Sequence, residues 1–285
     1  MEHFWKHAGW YVMAILLIAN AFIYYRVFAE EESKFLIVAF LDIGQGDAIF
    51  IESPSGHQVL IDGGPNAKVL QELGKVIPIY DRTIDVLILT NPDQDHFAGF
   101  LDVLKNYEIA AVIEPGTVGK SAMYPEFEKM IETESATHVL ARRGQVIDLG
   151  GGAYLKILFP NRDVSGDTPN DGSIVAELIY GETEIMLTGD ATEKVERHLL
   201  AINPSDLKSD VLKVGHHGSR TSTSEKFVAA VAPQFAVISD GAGNRYGHPH
   251  KEVLDALQKF GVKVFRTDQS GTVILRSNGK SFNLQ

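Results

Sequence analysis

A short run of polar residues directly after a buried strand constrains the fold of this chain most. Residues 84–89 form a run that is apolar except for Asp85, which predicts a strand inside a sheet. The next seven residues read Thr-Asn-Pro-Asp-Gln-Asp-His. The candidate metal ligands among them are Asn91, Asp93, Asp95 and His96. Capping of the following helix is the competing interpretation, but this density of ligand types predicts a hydrolytic metal site at the edge of a sheet.

The composition limits which side chains could hold a metal. The chain has 285 residues and no cysteine, which excludes disulfides, thiolate zinc sites and cysteine nucleophiles. Its formal net charge is -11, which argues against a sequence-independent nucleic-acid clamp because such clamps need a basic footprint. A nucleic-acid substrate stays open, since bound divalent cations can reverse the local sign of the charge.

The amino terminus predicts a membrane-associated segment. Ala8 to Tyr25 is an almost unbroken apolar run, and a spanning helix needs about 17–25 such residues. Aromatic residues lie at both ends of the run, as at membrane interfaces. We therefore expect residues 1–30 to be a single-pass anchor in the cell membrane, with residues 31–285 as an extracytoplasmic domain. A cleaved signal peptide and a buried core helix are the competing interpretations.

Short strands and single helices alternate from Phe35 onward, which predicts an α/β domain in layers. The turns at Ser53–Gly56 and Gly181–Glu182 each join two apolar runs and predict β-hairpins, so the sheets should be mixed. The patterns also predict helices over Asn66–Leu73 and Phe97–Lys105.

Other polar residues follow other strands of the pattern. They are Asp42, Gln45, Asp47, Asp62, Asp190, His216, His217, His248 and His250. Each alone fits an ordinary turn or cap. Loops at one edge of a layered sheet can converge, however, and carboxylates with imidazoles then suit Zn²⁺ or Mn²⁺.

The order of these motifs resembles a known family. Leu-Ile-Asp-Gly-Gly at 60–64, Leu-Thr-Asn-Pro-Asp-Gln-Asp-His at 89–96, Leu-Thr-Gly-Asp at 187–190 and Gly-His-His-Gly-Ser at 215–219 are similar to motifs of the metallo-β-lactamase-fold hydrolases. With Leu-Asp-Ile-Gly-Gln-Gly-Asp-Ala at 41–48, the chain more narrowly resembles the hydrolase domain of ComEC-family DNA-uptake channels. The resemblance covers roughly residues 35–276 and implies an αββα sandwich with a metal site on its edge.

The resemblance also implies roles for the polar residues. Asp95 and His96 would bind one metal with a histidine of the 216–217 pair, of which His217 is favoured. Asp190 would bridge to a second metal held by Asn91 and Asp93, and Asp62 would hold the ligand loop. The cofactor would be one or two divalent ions, Zn²⁺ or Mn²⁺. Asp95, Arg220 and His248 are the candidate catalytic residues: Arg220, with Arg245, would neutralise a phosphate, and His248 would donate a proton to the leaving oxygen. Surface ion pairing is the competing interpretation of the two arginines.

The chain departs from the family pattern at two places. Asn91 stands where an imidazole is expected, and no histidine occurs at Asn170–Ser173. A carboxamide oxygen is a weaker and harder ligand than imidazole. The second site is therefore expected to be weak, to favour Mn²⁺ or Mg²⁺, or to be empty.

The function expected from these patterns is a membrane-anchored phosphodiesterase or nuclease. Its substrate would be single-stranded or incoming DNA, and its partners would include competence channel proteins. The alternatives are an envelope hydrolase of phosphocholine or nucleotide esters, and a catalytically degenerate binding domain. Hydrolysis of β-lactams is not expected, because the resemblance runs to the competence branch.

Overall fold

Fifteen strands and nine α-helices make up the part of the chain that the computed structural model describes, residues 2–32, 35–134, 136–202 and 204–284. The strands are β1 Leu36–Phe40, β2 Ile49–Glu52, β3 Gln58–Ile61, β4 Thr83–Ile88, β5 Glu108–Glu114, β6 Thr137–Leu140, β7 Val146–Asp148, β8 Ala153–Phe159, β9 Val175–Tyr180, β10 Thr183–Leu187, β11 Val211–Lys213, β12 Phe235–Ile238, β13 Lys263–Arg266, β14 Val273–Ser277 and β15 Phe282–Leu284. The helices are α1 Glu2–Glu32, α2 Lys68–Val76, α3 Gln94–Phe97, α4 Phe100–Asn106, α5 Tyr124–Thr133, α6 Glu193–Ile202, α7 Glu225–Val231, α8 Lys251–Lys259 and α9 Thr267–Ser270.

The strands form two mixed sheets. One has the order β15-β14-β1-β2-β3-β4-β5-β6, and the other has the order β13-β12-β11-β10-β9-β8-β7. The predicted hairpins are confirmed, since β2 pairs antiparallel with β3, and β9 with β10. Strands β3 to β6 run parallel, as do β10 to β13. Parallel strands present their carboxyl ends at one edge, and this edge of each sheet carries the polar loops.

Both sheets are buried on two faces, which explains their nearly continuous apolar strands. In β1, Val38 and Phe40 point into the core between the sheets, while Ala39 faces the layer of helices. Phe100 of α4 and Phe127 of α5 pack on that outer face. The other sheet is covered by side chains of α6, α7 and α8. The layers therefore run helix, sheet, sheet, helix, as the sequence predicted.

The helix predicted over Phe97–Lys105 is in fact two, α3 and α4, which meet at Gly99. The Gly99 N–H donates to Gly64 O at 2.9 Å, and a methyl group on Gly99 would overlap the carbonyl oxygen of Gly63. The Gly99 N–H therefore bonds to the neighbouring loop and not within the helix, which interrupts the helical hydrogen bonds there. The helix predicted over Asn66–Leu73 is also wrong at both ends: it begins at Lys68 because the Asn66 side chain accepts the Lys68 N–H at 2.9 Å, and it runs on to Val76.

The amino-terminal segment forms α1, whose side chains are described only for residues 9–24 and are exposed. Within the described residues, no helix has the length and apolarity required to cross a membrane. The anchor predicted over Ala8 to Tyr25 is thus not shown. The side chains at both ends of that segment lie outside the described residues, and the division into residues 1–30 and 31–285 stays a prediction.

Candidate metal centre

Loops from the two sheets meet at the carboxyl ends of their parallel strands. Asp62 follows β3, and residues 90–96 follow β4. Asp190 follows β10, and the two histidines of Gly215–Gly218 follow β11. Backbone hydrogen bonds tie these loops together: Ile174 N–H donates to Thr90 O at 2.9 Å and His216 N–H to Gly189 O at 3.1 Å. The fold therefore brings together residues that are more than a hundred positions apart in the sequence.

Four side chains converge at this junction. His96 Nε2 lies 3.1 Å from Asp190 Oδ2, while His217 Nε2 lies 3.5 Å from Asp95 Oδ2 and 3.6 Å from Asp190 Oδ1. The ligand atoms of Asp95, His96 and His217 all lie within 4.8 Å of one another. His96, His217 and Asp190 are buried, and Asp95 is partly exposed.

The polar atoms that point into this junction lack hydrogen bonds. His96 Nε2, His217 Nε2 and Asp190 Oδ1 are buried and make none, although such atoms are costly to leave unsatisfied. Two imidazole nitrogens and two carboxylates directed at one point are a donor set for a borderline divalent cation. The residues present therefore fit Zn²⁺ or Mn²⁺.

Neighbouring groups fix the orientation of both imidazoles. His96 Nδ1 donates to Asp62 Oδ2 at 2.8 Å, and Asp62 in turn accepts the Thr90 hydroxyl at 2.6 Å and the Thr90 N–H at 2.7 Å. His217 Nδ1 donates to Ser239 O at 3.0 Å. In the neutral ring, donation from Nδ1 leaves Nε2 without a proton, so that Nε2 can bind a metal.

Backbone conformation at the site is costly for three of these residues. Asp62, His216 and His217 have φ values of 58°, 49° and 55°, in the left-handed region that side chains with a Cβ rarely adopt. Each costs on the order of 1 kcal/mol or more. Such conformations persist where the surroundings enforce them, and here they aim three polar side chains at or beside the junction.

The charges at the junction are strongly coupled. Burial alone would lower the pKa of His96, but the carboxylates of Asp190 and Asp62 raise it well above its usual value. Burial would likewise raise the pKa of Asp190, yet His96 and His217 hold it well below its usual value. The same opposition raises the pKa of His217 to about 10. The buried carboxylates are thus stabilised by nearby positive charge, which either protons on the histidines or a divalent cation can supply.

The predicted second metal has a sparser donor set. The Asn91 side chain is fully buried, and its oxygen accepts the Asp93 N–H at 2.9 Å while its nitrogen makes no hydrogen bond. Asp93 is half-buried in the cleft, and burial raises the pKa of its carboxyl. His216 is partly exposed, with Nε2 3.7 Å from Asp190 Oδ2. A metal-binding role for Asn91 therefore stays a prediction, since its oxygen already closes a turn.

The Asn170–Ser173 loop supports the site without supplying a ligand. The Ser173 hydroxyl accepts the Asp190 N–H at 3.0 Å. Thr192 donates to Asp171 at 2.7 Å, so the loop is also fastened to the start of α6. It therefore steadies the backbone of Asp190.

An open cleft of about 310 Å³ leads to the junction. Its lining residues are Gln45, Asp93, Gln94, Asp95, Asp190, His216, His217, Tyr246 and His248. Because the cleft reaches Asp95, Asp190 and His217 from solvent, a phosphate-sized group can approach the junction.

The structure places two of the predicted catalytic residues, Arg220 and His248, in different surroundings. Arg220 does not line the cleft: its side chain is 61% exposed and points to Glu252 of α8 at 4.0 Å, because its loop is held there by donation from the Arg220 N–H to His250 Nδ1 at 3.2 Å. His248 does line the cleft, but burial and then His217 and His216 lower its pKa to about 4. This low pKa disfavours the protonated ring, and the role of His248 as a proton donor stays a prediction.

A buried ion pair behind His217 was missed by the sequence analysis. Lys213 Nζ donates to Asp47 Oδ2, and neither side chain is exposed. Asp47 Oδ1 lies 3.4 Å from His217 Nδ1, and the Asp47 N–H donates to Asp95 O at 3.3 Å. The available signal was a lysine inside the apolar strand β11. Of the two aspartates in this motif, Asp47 thus contacts the site. Asp42 forms an ion pair with Lys68 at 3.0 Å.

The protein-family model described as the metallo-beta-lactamase superfamily matches residues 41–239 of the sequence. This range contains the Asp62, Asp95, His96, Asp190 and His217 positions just described. The chain belongs to the metallo-β-lactamase superfamily, and its site is a candidate centre for divalent metal ions.

Curated relatives with similar sequences are competence proteins. The chain is 35% identical over 278 residues to ComE operon protein 3 of Bacillus subtilis, 90% of this chain and 34% of that protein. It is 34% identical over 264 residues to competence protein ComA of Neisseria gonorrhoeae, 91% of this chain and 35% of that one. Recombination protein 2 of Haemophilus influenzae is 33% identical over 238 residues, 82% of this chain and 28% of that one. The chain therefore spans about a third of the length of these relatives.

Solved structures share the fold at low sequence identity. The metallo-beta-lactamase fold protein YhfI of Bacillus subtilis matches with a TM-score of 0.54 and 12% identity, over 83% of this chain and 98% of that one. The diiron beta-hydroxylase CmlA of Streptomyces venezuelae matches with a TM-score of 0.55 and 16% identity, over 85% of this chain and 54% of that one. These likenesses support the architecture alone.

Proposed function

We propose that this chain is a metal-dependent hydrolase that cleaves phosphodiesters, with single-stranded DNA as its substrate. The observation that carries the proposal is the set of buried, unsatisfied ligand atoms of His96, His217 and Asp190 at the base of an open cleft. Its relatives in competence and recombination support DNA as the substrate class.

Different residues would bind the metal and orient its histidine ligands. A bound divalent ion would supply a hydroxide near neutral pH and a positive charge for the phosphoryl oxygens. Asp95, His96, Asp190 and His217 would hold that ion. Asp62 and Ser239 O keep the two imidazoles oriented through Nδ1, which preserves their geometry during turnover.

We also propose the cellular setting that the sequence predicts. Residues 1–30 anchor the chain in the cell membrane as a single pass, with the hydrolase domain outside the cytoplasm, and competence channel proteins are its partners. The apolar run of Ala8 to Tyr25 and the competence relatives support this setting. Protease protection of the domain in sealed cells tests the orientation.

Hydrolysis by the full chain tests the activity. We expect the purified chain with Mn²⁺ or Zn²⁺ to cleave a labelled single strand and bis(p-nitrophenyl)phosphate, and chelation to stop both reactions. Asp190→Ala removes a carboxylate that contacts both imidazoles, so we expect a loss of more than about 100-fold. The control Glu132→Gln, on an exposed turn of α5, should keep full activity.

The same assay separates the alternatives. Turnover of p-nitrophenyl phosphocholine or nucleotide esters without turnover of DNA would favour an envelope esterase. The closure of a turn by the Asn91 oxygen favours a binding-only domain. Bound metal without turnover of any of these substrates would establish that alternative and refute hydrolysis.

A further inference from the structure

Three side chains form a stack at the mouth of the cleft. The rings of Tyr246 and His248 lie nearly parallel, at 22°, with their centroids 5.6 Å apart. The guanidinium carbon of Arg245 lies 4.9 Å from the centroid of Tyr246, and Arg245 Nη2 donates to Tyr246 Oη at 2.7 Å. Tyr246 remains 49% exposed. Tyr246 and His248 line the cleft that reaches the candidate metal ligands, and Arg245 adds a cationic group next to Tyr246.

The loop that carries this stack is held by one asparagine. Asn244 Oδ1 accepts the N–H groups of Tyr246 at 3.2 Å and His248 at 3.0 Å. Asn244 Nδ2 donates to His248 O at 2.7 Å and to Gly241 O at 3.0 Å. The stack is thus formed before any ligand arrives, which lowers the entropic cost of binding.

Arg245 carries a positive charge next to Tyr246, at the edge of a cleft that contains three aspartates. Within the described residues, no carboxylate lies within ion-pair distance of its guanidinium, whereas Arg220 points to Glu252. The cleft below is lined by Asp93, Asp95 and Asp190. An arginine has five N–H donors. Arg245 uses one of them to bond Tyr246, so the others can bind an anion.

Resting on the proposed function, we propose that Arg245 and Tyr246 form a nucleotide subsite that makes the enzyme selective for single strands. An unpaired base stacks on the aromatic and guanidinium group, and Arg245 binds the phosphate next to the scissile one. Stacking on aromatic rings and guanidinium planes is the usual way in which proteins hold unpaired bases. Bases inside a duplex cannot use the subsite, because both of their faces are already covered by neighbouring bases.

Comparison of a normal strand with a strand that lacks bases measures how much base stacking contributes to substrate binding. The substrates are a labelled oligonucleotide and an abasic strand of the same length, which keeps the phosphates and lacks the bases. For the full chain with Mn²⁺, we expect Tyr246→Ala to raise KM for the normal strand about tenfold, in line with the loss of one stacked base. KM for the abasic strand should stay unchanged. Tyr246→Phe should keep the preference for the strand with bases. Arg245→Gln should raise KM for both substrates.

Binding without turnover distinguishes this proposal from the proposed function. Fluorescence anisotropy of both strands in chelator should show that wild type prefers the normal strand and that Tyr246→Ala loses this preference. The control Tyr80→Ala removes a highly exposed tyrosine and should keep it. If this pattern holds but wild type cleaves nothing with any metal, the subsite stands and the hydrolase proposal fails. Equal effects of Tyr246→Ala on normal and abasic strands, or no effect on either, would overturn the subsite.

Discussion

Lys213 and Asp47 show how a charge pair can serve a site without touching a substrate. Both are fully buried, and Asp47 reaches the Nδ1 side of His217. Burial would raise the pKa of Asp47, yet Lys213 and then His217 lower it to about 2. The pair therefore places a fixed negative charge behind a candidate ligand while its own net charge stays near zero.

Removing Lys213 should destabilise the chain strongly. Lys213→Met leaves the Asp47 carboxylate buried without its main partner, and breaking such a pair costs about 3–5 kcal/mol. We expect the free energy of unfolding in urea to fall by that amount. The double variant Lys213→Met/Asp47→Asn removes both charges and should recover part of the loss. A loss below about 1 kcal/mol for Lys213→Met would show that the pair is not held as described.

The helical turn after β4 depends on a close approach of two backbone segments. Gly99 joins α3 to α4, and its Cα hydrogen faces the carbonyl oxygen of Gly63. This contact packs residues 94–99 against the loop that carries Asp62. The position of His96 therefore depends on a glycine that is not itself part of the site.

Gly99→Ala should disturb this contact. The added methyl group would overlap Gly63 O, and relieving the clash requires a backbone shift that costs about 1–3 kcal/mol. Gly74→Ala is the matched control, because nothing lies within 4 Å of the added methyl group there and alanine favours the helix by about 1 kcal/mol. Thermal unfolding measures both. Similar stability changes in the two variants would contradict this account of Gly99.

The β9–β10 hairpin carries a buried carboxyl on its outer face. Burial, and then the nearby Glu184, raise the pKa of Glu177 from 4.5 to about 7. The folded state therefore binds this proton more tightly than the unfolded state does. It follows that the free energy of unfolding falls as the pH rises from about 4.5 to about 7.

Glu177→Gln should remove this pH dependence. We expect the variant to be more stable than wild type at about pH 8, by on the order of 1 kcal/mol once solvent screening is allowed for. Near pH 4.5 the two should be alike, because the wild-type carboxyl is then protonated in the folded state. Urea unfolding at both pH values checks this, with the exposed Glu182→Gln as control. Stabilisation of the same size at both pH values would refute the assignment.

The sequence predicted the elements better than their ends. Most strands and both hairpins followed from local patterns, since apolar runs and turn residues act over a few positions, whereas β6 and β15 were not predicted. The break at Gly99 arises from contact with Gly63, which no local pattern contains. The ligand set was found because its motifs lie at strand ends, whereas the contact between Lys213 and Asp47 spans 166 positions. The direction of Arg220 depends on the packing of its loop against α8.

The whole chain combines an acidic surface with a site for cations. Its net charge is -11, so a phosphodiester would be repelled unless a bound metal and Arg245 supplied positive charge at the cleft. The chain also spans only about a third of its competence relatives. The candidate metal centre is built from loops of both sheets and is completed by His217, in the loop that follows β11.

The content of bound metal in the full chain tests this centre most directly. After loading with Zn²⁺ or Mn²⁺ and gel filtration, we expect wild type to retain at least one ion per chain. His217→Ala removes a buried nitrogen directed at the junction and should lose that ion, while His216→Ala, which removes a partly exposed ring, should retain it. Wild type without bound metal, or equal losses in His216→Ala and His217→Ala, would contradict the account.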